Sequence, residues 1–98
     1  YFTREGGFVG GGILAKVEVN GREIAKLGTK ENITHNVSDN YKIRISGAGI
    51  GGFGMGKDSS AGTNDGKNHF YIISVKQGLF STSFKISETT EAGFKQSN

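Results

Sequence analysis

The sequence predicts an all-β chain, a small antiparallel β-sandwich of six to seven short strands with one long glycine-rich loop. Three observations lead there. Several runs alternate apolar with polar residues at the two-residue period of a strand with one buried face. Turn-forming residues separate those runs at close spacing, as at Asn20-Gly21, Ser38-Asp39-Asn40 and Gln77-Gly78. No stretch sustains a helical period, and the chain holds 17 glycines and no proline. Two packed antiparallel sheets are the expected closure, with a small barrel as the alternative.

Residues 1–12 contain five glycines and no periodic pattern, and read as a flexible glycine-rich arm. Residues 13–98 read as a single domain, since 98 residues leave room for one compact core and no more. In Ile13 to Val19, residues Ile13, Ala15, Val17 and Val19 share one face. Asn20-Gly21 follows at once and favours a type I′ turn, so Arg22 to Leu27 is expected to return as a hairpin. That register sets Val17 opposite Ile24 and Val19 opposite Arg22.

Ile33, His35 and Val37 alternate with Thr34 and Asn36 and predict a short strand or edge strand. Tyr41, Ile43 and Ile45 alternate with Lys42, Arg44 and Ser46, which places β-branched and aromatic residues inward and charges outward. Gly47 to Asn68 breaks the rhythm. Eight of its 22 residues are glycine, too many for a helix, and the segment reads as a long loop. Strands are expected again at Phe70 to Lys76 and at Phe80 to Ile86. Ser87, Glu88, Glu91 and Ala92 predict a single helical turn ending at Gly93.

Composition excludes several functions. Without cysteine there is no disulfide framework, thiolate metal site or thiol catalysis. The longest apolar runs are far too short to span a membrane as helices. A net charge of +3 comes from basic residues spread along the chain, with Lys42 and Arg44 at same-face strand spacing, so nucleic acid is the weaker partner reading. The chain starts at Tyr1 rather than methionine, which reads as a mature form or fragment and is compatible with a lipid anchor outside it.

Ser46-Gly47-Ala48-Gly49-Ile50-Gly51-Gly52 satisfies a dinucleotide-binding glycine fingerprint after a strand, but Phe53-Gly54-Met55-Gly56 opposes the helix that must follow. Gly51 to Asp58 is near a phosphate loop, yet Asp58 stands where the magnesium-binding hydroxyl belongs. Asp58, Asp65 and their Ser, Thr and Asn neighbours lack the spacing of a calcium loop. His35 and His69, 34 residues apart, carry no accompanying ligand set. Tyr41, Phe70, Tyr71, Phe80 and Phe84 are better explained as core than as an aromatic ligand platform. No cofactor and no metal site is expected.

Further features occur in a definite order. The hairpin Val17-Glu18-Val19-Asn20-Gly21-Arg22-Glu23-Ile24-Ala25-Lys26-Leu27 precedes the strand Tyr41-Lys42-Ile43-Arg44-Ile45. After a variable middle come Phe70-Tyr71-Ile72-Ile73-Ser74-Val75 and a tail from Phe84-Lys85-Ile86-Ser87-Glu88 through Glu91-Ala92-Gly93. From Ala15 onward this order resembles a bacterial family of small lipoprotein domains, the domain of unknown function number 2846. The resemblance implies a β-sandwich in the bacterial periplasm or cell envelope and carries over no catalytic residue. The glycine-rich segment Gly47 to Asn68 departs from the compact family pattern.

The expected function is therefore a non-enzymatic binding or structural module of the bacterial cell envelope, contacting an unidentified protein or envelope component. Phe53, Met55 and Lys57 in the glycine-rich loop are the expected contacts, because apolar residues there have no periodic reason to be present. One alternative is a small barrel that binds an anionic polymer through Lys42, Arg44 and Lys57. Another is an assembly subunit that pairs through an edge strand.

Overall fold

The computed structural model describes residues 1–4, 13–28, 30–37, 40–49, 56–77 and 82–97. They form eight strands, β1 (Phe2–Arg4), β2 (Ile13–Val19), β3 (Arg22–Leu27), β4 (Asn32–Ile33), β5 (Tyr41–Gly49), β6 (Asp58–Gly62), β7 (Phe70–Gln77) and β8 (Thr82–Thr89). One helix, α1 (Glu91–Ser97), follows. The strands make two four-stranded sheets, ordered β4-β1-β7-β8 and β3-β2-β5-β6. Every pairing is antiparallel except β1 with β7. The fold is the all-β sandwich that the alternation predicts.

The hairpin β2–β3 turns at Asn20-Gly21, where both residues take positive φ, 52° and 81°, as a type I′ turn requires. Val19 faces Arg22 as expected. The expected Val17–Ile24 pairing is not formed. Glu18 pairs with Glu23 and Val17 with Ala25, so a β-bulge absorbs Ile24, which packs half-buried against the core.

Between the sheets, Ala15, Val17, Val19, Tyr41, Ile43 and Ile45 meet Phe2, Tyr71, Ile73, Phe84 and Ile86, all buried. Each such valine, isoleucine or phenylalanine side chain contributes about 1.5–3 kcal/mol by leaving water. α1 lies against β7 and β1, where the Phe94 ring sits 5.4 Å from Phe70 and 5.7 Å from Tyr1.

Further expectations change. The arm over 1–12 gives way at Phe2–Arg4 to a buried strand lying between β4 and β7, while 5–12 fall outside the described residues. A strand paired on both sides has its backbone satisfied, so three residues suffice. Arg4 is itself buried, 6.0 Å from the Phe84 ring centroid, and desolvation pushes its guanidinium pKa down.

The predicted loop from Gly47 to Asn68 is also partly strand. β5 continues through Gly49, and β6 pairs with it from Tyr41↔Gly62 to Ile45↔Asp58. Phe53 and Met55 lie outside the described residues. Gly56 bridges Ser83 in parallel, donating to the Thr82 carbonyl at 2.9 Å and accepting from the Phe84 amide at 3.0 Å. A Cβ on Gly56 would stand 2.6 Å from the Ser83 Cβ, so this approach requires glycine.

Two further boundaries move. The strand expected at Ile33 to Val37 stops at Ile33, with 34–37 irregular. β8 runs to Thr89, so Ser87 and Glu88 are strand, and α1 passes through Gly93 instead of ending there. Thr90 caps that helix, its hydroxyl accepting the Gly93 amide at 3.2 Å. Among the described residues no helix is long and apolar enough to cross a membrane.

Candidate functional site

At one end of the sandwich, where β2 ends and β1, β5 and β7 begin, the sheets part into a half-open cleft of about 240 Å³. Its base is made by Phe2, Val19, Tyr41 and Tyr71. One wall is the irregular segment Thr34, His35, Asn36 and Val37, and the other is Asn64 with residues 66–69. Both histidines of the sequence line it, although nothing in their spacing announces the convergence.

The Tyr41 and Tyr71 hydroxyls share a buried hydrogen bond of 2.7 Å, with their rings at right angles and centroids 6.4 Å apart. Burial, chiefly, raises the Tyr71 pKa, and the hydrogen bond to Tyr41 adds to it, so the phenol stays protonated. Tyr71 also stacks on Phe2 at 5.5 Å. Those contacts fix the base of the cleft.

His69 is held from two sides. Glu88 Oε2 lies 2.8 Å from its Nδ1 and Asp65 Oδ1 lies 2.8 Å from its Nε2. The hydrogen bonds to Glu88 and then Asp65 raise the His69 pKa, and the bond to His69 lowers that of Asp65. When protonated, the ring donates from both nitrogens to these carboxylates and has no lone pair with which to take a proton from a nucleophile. Its geometry is that of a clamp. Glu88 reaches it because β8 pairs with β7, with Tyr71 opposite Glu88.

The two walls are joined as well, since Asn64 Nδ2 donates to the Val37 carbonyl at 3.2 Å. Asn64 Oδ1 accepts the Gly66 amide at 3.3 Å and Asp65 Oδ1 the Lys67 amide at 3.0 Å, so the wall is folded on its own side chains. Among the described residues no group of three or more His, Asp or Glu is placed to hold a metal ion.

The residues singled out from sequence lie elsewhere. Lys42 and Arg44 are exposed on the outer face of β5, where Arg44 pairs in register with Glu18 and Ser59. Lys57 is exposed just before β6, and strand alternation puts it on the side of Ser59 and Arg44. The three cations of the anionic-polymer reading thus share one side of the molecule. On the same sheet, Lys16 lies 3.9 Å from Glu18 and Lys26 3.5 Å from Glu23, so its charges are mixed. Of the glycine-loop contacts, Lys57 alone is described, and its neighbours Gly56 and Asp58 are bound to β8.

From the sequence alone Tyr41 and Tyr71 read as core, and His35 and His69 as isolated. Asp65 and His69 stand four positions apart in a loop rich in Asn and Gly, the one local signal of the clamp. No family model, curated protein or solved structure matches the chain.

Proposed function

We propose that the chain is a non-enzymatic binding module of the bacterial cell envelope that makes its contact at the cleft end of the sandwich. One observation carries this reading: the walls of the cleft are already tied, Asn64 to Val37 and His69 to Glu88. Preformed walls lose little conformational entropy when a ligand arrives, which favours recognition. The two-sided engagement of His69 supports a role without proton transfer. The envelope location is supported by the resemblance in element order from Ala15 onward.

The test is nuclear magnetic resonance of the ¹⁵N-labelled chain mixed with a sonicated bacterial envelope fraction. Broadening or shifts confined to 34–37 and 64–69 are expected. A response centred on Lys57, with the cleft silent, moves the contact to the glycine-rich segment with Phe53 and Met55. No response anywhere overturns the reading.

A second reading has its own observation, the gathering of Lys42, Arg44 and Lys57 on one side. An anionic polymer bound there releases about three counterions, so its affinity falls with salt at a slope of about −3 or shallower. Heparin binding that is abolished by replacing all three with glutamine supports it.

A further inference from the structure

We infer that the cleft receives one uncharged sugar unit, such as the end of a glycan chain, held by hydrogen bonds rather than by ring stacking. This rests on the binding-module reading and names the ligand class for the same site.

Size comes first. A volume of about 240 Å³ holds about eight waters at ~30 Å³ each, the room one substituted pyranose ring displaces. The cleft is half open, so a chain attached to that ring can leave toward solvent.

The lining chemistry narrows the class. Thr34, Asn36, Asn64, Asn68 and the tyrosine pair are neutral groups that both donate and accept, as sugar hydroxyls do. No carboxylate is among the described residues that line the cleft. Of the cationic groups at the lining beside Lys67, His69 is engaged by Asp65 and Glu88, and the Tyr1 ammonium, whose pKa burial lowers, donates to the His69 carbonyl at 2.9 Å. An anion there competes with partners already in place, whereas a neutral polyol need not displace them.

The tyrosine pair supplies an independent pointer. Two hydroxyls bring two protons, and the 2.7 Å bond between them uses one. The second proton has no acceptor among the described residues, although Tyr41 is 6% and Tyr71 2% exposed. A ligand oxygen seated on the base of the cleft completes that bond. Stacking is already committed within the protein: Tyr71 lies on Phe2, and Tyr1 lies on Phe70 with centroids 4.7 Å apart. A site that recognises one ring by hydrogen bonds alone binds weakly, with a dissociation constant of order 1 mM.

The experiment is a titration of the labelled chain with glucose and N-acetylglucosamine, with acetate and glycylglycine amide run in parallel. Saturable shifts at 34–37 and 64–69 with a sugar, and not with acetate, are expected. Asn36→Ala, in an exposed loop where folding is safe, weakens binding about tenfold, and Lys67→Gln changes it less than about twofold. The double variant Tyr41→Phe with Tyr71→Phe stays folded and loses the sugar response. Binding of acetate or of the dipeptide amide in preference to sugar overturns the assignment, as does a cleft silent to about 50 mM sugar. If the cleft is silent to sugar but answers the envelope fraction, only the sugar assignment fails. If it is silent to both, the binding-module reading fails with it.

Discussion

The Asp58 carboxylate accepts the Ile86 amide at 2.9 Å, so a side chain of one sheet occupies the open edge of the other. Together with the two Gly56 bonds to Thr82 and Phe84, it satisfies backbone groups of β8 that β7 leaves unpaired. An unpaired strand edge invites association with another chain. That edge is closed from within. β3 lies at the far edge of the other sheet, and there Arg22, Glu23, Lys26 and the bulge resist pairing by charge and by twist.

Replacing Asp58 by alanine removes the acceptor and leaves the Ile86 amide unpaired in a part-buried setting. A loss of about 1–3 kcal/mol is expected in urea unfolding, with the Ile86 amide exchanging faster than its β8 neighbours. Asp58→Asn keeps an acceptor oxygen and should lose about half as much. Equal stability of wild type and Asp58→Ala would show that the bond contributes nothing.

Gly56→Ala tests the same edge through sterics. The new methyl meets the Ser83 Cβ at 2.6 Å, which forces the segment off β8 and lengthens both Gly56 backbone bonds. Destabilisation of about 1–3 kcal/mol is expected, with mass rising at high concentration in light scattering as β8 becomes available. An unchanged melting curve and a monomeric mass at every concentration would contradict this.

What the sequence discloses depends on how local the cause is. The β2–β3 hairpin is legible because the apolar alternation and the Asn20-Gly21 turn act within a dozen residues. β1 is hidden: three residues cannot display a period, and their burial comes from lying between β4 and β7. β6 is hidden for another reason. Its inward positions are Asp58, Ser60 and Gly62, small or polar residues facing Ile45, Ile43 and Tyr41, so bulk on β5 fills the space that apolar side chains on β6 would otherwise mark. The cleft draws on segments scattered from Tyr1 to Tyr71, and only the pairing of β7 with β8 brings Glu88 to His69.

The tyrosine pair makes a separate thermodynamic prediction. Tyr71→Phe strands the Tyr41 hydroxyl, which is buried, and should cost about 1–3 kcal/mol. Removing both hydroxyls leaves no orphan, so the double phenylalanine variant should recover most of that loss. A double-mutant cycle in guanidinium measures the coupling. Strictly additive losses would mean that the two hydroxyls do not depend on each other.

The His69 clamp predicts a window of pH in which it stabilises the wall of the cleft. The His69 pKa is raised above its ordinary 6.5 by Glu88 and Asp65, so its contribution is complete below 6.5 and is lost as pH rises through the folded value. The Asp65 pKa is lowered below its ordinary 3.8 by His69, so its contribution is present above 3.8 and is lost as pH falls through the folded value. The clamp is therefore strongest between those two ordinary values. Once neutral, His69 keeps one N–H for two carboxylates, and one of the 2.8 Å contacts loses its proton. Melting temperatures of wild type and His69→Gln should differ most near pH 5 and converge in the alkaline range. The imidazole proton shifts of His69 should titrate with a midpoint above 6.5, and a midpoint at or below that value would remove the clamp.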